Sequence, residues 1–291
     1  YVPSFGIFLA IGVLICGIVD LLRPRLSRTV LSSIGIVLGA AILGSFAFHT
    51  WHQVMVWQST EALLSNVIRN YPAASHVAYN NLGNAQRLQK EYDKAIENFK
   101  QAIKIRPNAK TWSNLGAAYR QKKMYAEAQA AYTQALTLDD KSREAHFGLG
   151  ILLGELGRVN DAVAEYRKAV EIDPTYEEAS TNLGSTLLQL GDIPGAIKAY
   201  EQALFINPYF LDAQYNLAVA YTKAGDAQRA LEAYRRVISI NPRSTSARIN
   251  LGLLEAKLGN AEAAIEQFEA ILDYDPNNPT ALSALRQLGA L

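Results

Sequence analysis

The stretch YNNLGNA, residues 79–85, recurs along the chain with its leucine and glycine held in register. WSNLGAAY repeats it around Gly116, FGLGILL around Gly150, STNLGSTL around Gly184, QYNLAVAY around Ala218 and RINLGLLE around Gly252. Consecutive spacings are 33, 34, 34, 34 and 34 residues. A second register is small: Ala95, Ala128, Ala162, Ala196, Ala230 and Ala264. A third is aromatic: Phe99, Tyr132, Tyr166, Tyr200, Tyr234 and Phe268. Pro107, Pro174, Pro208, Pro242 and Pro276 close the units, with Asp140 in the proline's place once. A fixed period of this length signals stacked structural repeats.

Each unit reads as two helices. Tyr79, Leu82 and Gly83, then Ala95, Ile96, Phe99 and Ile103, fall at helical spacing. Gly157, Gly191, Gly225 and Gly259 stand between the two patterns, where a helix end calls for a left-handed residue. The closing proline ends the second helix. No unit can bury its apolar face alone, so stability comes from stacking neighbours.

These registers resemble the tetratricopeptide repeat, whose 34-residue unit wants small residues at positions 8, 20 and 27, an aromatic at 24 and proline at 32. The resemblance covers six units, residues 76–276, and implies an all-α solenoid of helix pairs whose first helices line a concave face. Residues 277–291 read as a capping helix from Pro279, with Arg286 and Gln287 turned outward.

Position 6 of successive units reads Asn81, Asn114, Gly148, Asn182, Asn216 and Asn250. A carboxamide offers an acceptor and two donors, so it can hold a peptide group's N–H and C=O together. This series resembles the asparagine ladder in the repeat region of the nucleocytoplasmic O-linked N-acetylglucosamine transferase, which implies a backbone-reading polypeptide site. The alternative is that Asn-Leu-Gly is how such repeats are spelled, the asparagine being solvated or bonded within its own unit. Asn84, Arg87 and Arg120 make the early concave positions polar and basic, whereas Ile151, Leu188, Val219 and Leu253 make later ones apolar. A ligand with a polar or acidic end and an apolar end suits that gradient.

Ahead of the repeats the chain is different. Residues 1–75 hold six charges: Asp20, Arg23, Arg25, Arg28, Glu61 and Arg69. Tyr1–Val19 and Thr29–Val56 are free of charge, and about 20 apolar residues cross a bilayer core. Residues 1–56 are therefore expected to form two transmembrane helices in a hairpin, with the bilayer and further transmembrane helices as partners. LLRPRLSR (21–28) clusters three arginines between the runs, and positive charge in a short loop favours the cytoplasmic side. The repeats are then expected outside the cytoplasm, in a periplasm or lumen, with Trp51 and Trp57 at the interface. Gly35 and Gly39 form a small-xxx-small pair suited to helix packing. His49 and His52 share a helical face but gain no third ligand for a metal. TEALLSNVIRNYP (60–72) reads as a helix in a stiff connecting segment, residues 57–75.

The order of YVPSFGIFLAIGVL, the arginine loop, TWHQVMVWQSTEALL and the repeats resembles the C-terminal end of membrane protein O-mannosyltransferases that carry these repeats. That resemblance, with a start at Tyr-Val-Pro rather than Met, suggests the C-terminal portion of a larger glycosyltransferase-like protein, or the acceptor-presenting domain of an active one.

Composition narrows the remaining classes. Of 28 basic and 27 acidic residues, four and two lie before residue 76, leaving 24 and 25 in the repeats. So even a mixture offers no footprint for nucleic acid. The single cysteine, Cys16, excludes an internal disulfide or thiolate cluster. Asp273-Tyr-Asp275 matches an acid-x-acid pattern but occupies the end of a second helix. Gly148, Gly150 and Gly154 lie within the repeat pattern with no strand before them, so they make no dinucleotide loop. His76 and His146 lie two repeats apart, and no catalytic constellation or cofactor site emerges. The expected function is protein binding by a membrane-tethered scaffold.

Overall fold

The computed structural model describes Val13, Gly17, residues 27–57 and residues 59–291. It contains two compact units, Tyr1–Pro72 and Ala73–Leu291.

In the first unit, α1 spans Arg28–Trp57 and α2 spans Thr60–Asn70. Ser59 caps α2, its Oγ accepting the Ala62 N–H at 3.0 Å. Glu61 in the first turn and Arg69 in the last suit the helix dipole. Among the described residues no helix is long and apolar enough to cross a membrane. This overturns the expected pair of transmembrane helices. That expectation counted missing charge, which is a weaker criterion than apolarity. Ser32, Ser33, Ser45, His49, Thr50, His52 and Gln53 interrupt the run that became α1. The other run, Tyr1–Val19, lies outside the described residues except for Val13 and Gly17. Bilayer and further spanning helices lose their support as partners. Among the described residues a Cβ added at Gly39 meets nothing within 4 Å. The side chains of His49, His52 and Trp57 are outside the described set.

The second unit is the solenoid, six antiparallel pairs and a closing helix. The pairs are α3 His76–Leu88 with α4 Tyr92–Ile105, and α5 Ala109–Gln121 with α6 Tyr125–Leu138. Next come α7 Arg143–Glu155 with α8 Val159–Ile172, and α9 Glu177–Gln189 with α10 Ile193–Ile206. The last are α11 Leu211–Ala224 with α12 Ala227–Ile240, and α13 Thr245–Lys257 with α14 Ala261–Leu272. The closing helix α15, Pro279–Gln287, buries Ala281, Ala284 and Leu285 against Phe268 and Ile271.

The registers explain the packing. Phe99, Tyr132, Tyr200, Tyr234 and Phe268 are at most 2% exposed. Each unit's aromatic lies beneath the position-8 residue of its own first helix. A Cβ added at Gly83, Gly116, Gly150, Gly184 or Gly252 would come within 2.8 Å of that ring, closer than real contacts allow. In the fifth unit Ala218 replaces the glycine and is fully buried.

The turns between paired helices need one left-handed residue. Gly157, Gly191, Gly225 and Gly259 supply it with φ of 75° to 86°. In the first two units Lys90 (φ 65°) and Lys123 (φ 63°) do the same without glycine. First helices touch one another along the stack: α3 with α5, α5 with α7, and α9 with α11. No two second helices of the described chain touch to that extent, so first helices lie on the inner, concave side.

Candidate functional site

Position 6 lies near the middle of each first helix, one residue before the buried leucine of Asn-Leu-Gly, and so at the edge of the concave face. The five asparagines there meet three fates. Asn114 Nδ2 donates to Asn80 Oδ1 at 2.9 Å, and Asn80 Nδ2 lies 3.4 Å from Asn81 Oδ1. The early asparagines are thus tied into a chain across units one and two. At the far end Asn250 Nδ2 donates to the Tyr215 hydroxyl at 3.0 Å. Asn182 and Asn216, half-buried, have no side-chain hydrogen bond among the described residues. The asparagines are thus bonded in some units and without a side-chain partner among the described residues in others.

Gly148 interrupts the series for a steric reason. A Cβ there would lie 2.6 Å from Tyr132 Cζ and 2.8 Å from Tyr132 Oη. The ring that fills the space under Gly116 reaches beneath the next unit as well, and no asparagine fits above it. Tyr132 is 1% exposed. Burial pushes its hydroxyl above the usual tyrosine range, against the pull of Arg120 and Arg87.

The early basic side chains are engaged. Arg87 Nη1 donates to Gln121 Oε1 at 3.3 Å, and Arg120 pairs with Glu155 of the next unit. Burial works against the Arg120 charge, but Tyr132 and Glu155 outweigh it and hold the guanidinium above its ordinary value. Each contact crosses between repeats, so these arginines fasten consecutive first helices. Asn84 is half-buried. Beyond them Ile151, Leu188 and Val219 are half-buried and Leu253 is 50% exposed, giving the later groove an apolar wall.

One polar group was not anticipated. His146, 7% exposed, meets Glu165 Oε2 through Nδ1 at 2.6 Å and the Asp140 carbonyl through Nε2 at 3.0 Å. Both ring nitrogens face acceptors, which assigns the doubly protonated imidazolium. Lys168 joins Glu165 at 2.8 Å. This is an internal fastening.

Helix pairs with an aromatic packed beneath a small residue, stacked at a 34-residue period, define a tetratricopeptide-repeat solenoid. Models of the tetratricopeptide repeat match residues 76–108, 109–142, 181–245 and 217–289, and the TPR repeat matches 153–191. The chain belongs to the tetratricopeptide-repeat family. Two crystal structures of MamA resemble it: one is 31% identical with a TM-score of 0.54, covering 56% of this chain and 95% of that one. The other is 30% identical with a TM-score of 0.53, covering 57% and 90%. PilW, a widely conserved type IV pilus biogenesis factor, shares the fold at 24% identity and a TM-score of 0.63, covering 73% and 99%. No curated protein matches. The family matches lie within 76–289, so the resemblance of Tyr1–Pro72 to O-mannosyltransferases is not shown.

Proposed function

We propose that the solenoid is a scaffold that binds extended polypeptide on its concave face, with Asn182 and Asn216 gripping the ligand's backbone. The observation that carries this reading is the contrast among the asparagines: these two consecutive units hold free carboxamides while Asn81, Asn114 and Asn250 are bonded internally. A half-buried amide without a partner gains most when a peptide group supplies one. Val219 and Leu188 offer apolar contact beside them. The arginine end contributes less, since Arg120 is neutralised by Glu155. Asn81, Asn84, Asn114, Asn250, Arg87 and Arg120 then shape the groove, and Asn182 and Asn216 supply its unsatisfied groups. Presentation of acceptors to a sugar-transferring core would use the same groove in the same way.

The test is binding of random twelve-residue peptides on an array, read for wild type and for Asn182→Ala with Asn216→Ala. Loss of two charge-neutral hydrogen-bonded contacts, each worth about 1 kcal/mol, predicts roughly tenfold or greater weakening across unrelated peptides. Equal binding by the double variant would refute the assignment.

A further inference from the structure

Side chains beside the second to fifth junctions between successive repeats make polar contacts that the matching residues beside the first do not make. At the second, His146 meets Glu165. At the third, Gln202 Nε2 donates to the Pro174 carbonyl at 3.3 Å. At the fourth, the Tyr221 hydroxyl donates to Glu201 Oε1 at 2.7 Å, and the Arg229 guanidinium stacks 4.5 Å from the Tyr221 ring centroid. At the fifth, Arg248 donates to the Pro242 carbonyl and to Gln267 Oε1, each at 2.9 Å.

The first junction carries Trp112 where His146 and Arg248 stand, and Ala131 where Glu165 and Gln267 stand. The polar contacts that cross this junction, Asn114 with Asn80, Arg87 with Gln121 and Lys122 with Asp93, do not involve these positions. What remains between α4, α5 and α6 is an open groove of about 430 Å³, floored by Ile103, Trp112, Leu115, Tyr119 and Ala131. That volume lies within the range that binds ligands. The groove faces the second-helix side, away from the asparagines.

The fourth junction serves as an internal template for what the first one lacks. Tyr119 and Lys100 hold the places of Tyr221 and Glu201. A lysine ammonium has no lone pair, so it cannot accept the tyrosine proton as Glu201 does. Lys100 sits instead 6.0 Å from the Tyr119 ring centroid, and the Tyr119 hydroxyl has no partner among the described residues. Lys104 adds a second exposed ammonium to the rim, and neither lysine forms an ion pair there. Glu127, in the place of Arg229, is the rim's acid. A hydroxyl donor and two ammonium groups over an apolar floor ask for a carboxylate next to an apolar side chain.

We propose that this outer groove is a second docking site, for a partner's peptide segment in which an acidic residue adjoins a large apolar one. The ligand's carboxylate takes the role of Glu201, accepting from Tyr119 and pairing with Lys100 and Lys104. Its apolar neighbour rests on Trp112 and Ile103. This site is independent of the concave asparagines.

The experiment uses the full chain and a fluorescent hexapeptide of alternating glutamate and leucine or phenylalanine, read by anisotropy, with a lysine-for-glutamate version as control. The glutamate peptide binds wild type and the lysine peptide does not. Lys100→Glu with Lys104→Glu rebuilds the tyrosine–carboxylate contact and reverses the rim charge. It weakens the probe about tenfold or more, since each exposed pair is worth up to about 1 kcal/mol. Both lysines are exposed, so the variant keeps its fold, checked by circular dichroism. Asn182→Ala leaves the affinity unchanged. Unchanged affinity in the lysine variant overturns the proposal, as does equal loss in Asn182→Ala. Wild-type self-association abolished by the lysine variant would also overturn it, by giving the groove to a second copy of the chain.

Discussion

Gly148→Ala and Gly154→Ala make the same change in the same helix, α7, and the structure predicts opposite outcomes. Alanine is favoured over glycine in a helix interior by about 1 kcal/mol. At Gly154 nothing lies within 4 Å of an added Cβ, so that gain is realised. At Gly148 the Cβ would stand 2.6 Å from Tyr132 Cζ and 2.8 Å from Oη. The ring cannot retreat, because its Cδ1 and Cε1 already lie 2.8 Å from where a Cβ at Gly116 would stand. Overpacking of this kind costs about 1–3 kcal/mol before any propensity gain is counted. Gly148→Ala should therefore lose up to about 2 kcal/mol and Gly154→Ala should gain up to about 1. For a domain of this size each kcal/mol moves Tm by about 2–4 °C. Thermal and urea unfolding followed at 222 nm separate the two variants. If Gly148→Ala proves as stable as Gly154→Ala, the Tyr132 ring does not fill that space and the steric account of the missing asparagine fails.

The remaining predictions concern turns and titration. Lys123→Gly relieves a side chain held at positive φ and should raise stability by about 1 kcal/mol in urea unfolding, with Lys90→Gly behaving alike. His146 and Glu165 give a pH signature. The bond to Glu165 and that to the Asp140 carbonyl raise His146 against its burial. Burial opposes ionisation of Glu165, but its bonds to His146 and Lys168 hold it below the usual range. His146 therefore stabilises fully below the unfolded imidazole value near 6.5, and that contribution is lost as pH rises through the folded value. Glu165 stabilises above about 4.3, and its contribution is lost as pH falls through the folded value. The stability gap between wild type and His146→Phe should be widest at about pH 5–6 and narrow at alkaline pH. A gap that does not change with pH would show that the imidazole is neutral.

Much of the solenoid was legible because its rules are periodic. A small residue at position 8, alanine at 20 and an aromatic at 24 recur once per 34 residues, and in five units the structure places the ring beneath a glycine. The four glycine turns were readable for the same reason. The turns at Lys90 and Lys123 were not, since only glycine announces a left-handed residue and tertiary packing imposed it here on lysine. Asn182 and Asn114 are spelled alike in sequence. Their difference arises from Asn80, which is offset by one position and accepts the Asn114 amide across a repeat boundary. Charge spacing likewise could not reveal that Arg120 is neutralised by Glu155, which lies 35 residues on. The transmembrane expectation rested on missing charge, whereas no helix of the described residues is long and apolar enough to cross a membrane.

The proposed reading of polypeptide backbone by Asn182 and Asn216 can be tested on the ligand itself. The most direct test takes one array-selected peptide in three forms: unmodified, scrambled in sequence, and N-methylated at alternate peptide nitrogens. N-methylation removes the donors that a carboxamide oxygen would accept. The account predicts that scrambling changes affinity little while N-methylation weakens it about tenfold, and that Asn182→Ala with Asn216→Ala removes the difference. Sensitivity to scrambling with indifference to N-methylation would contradict it.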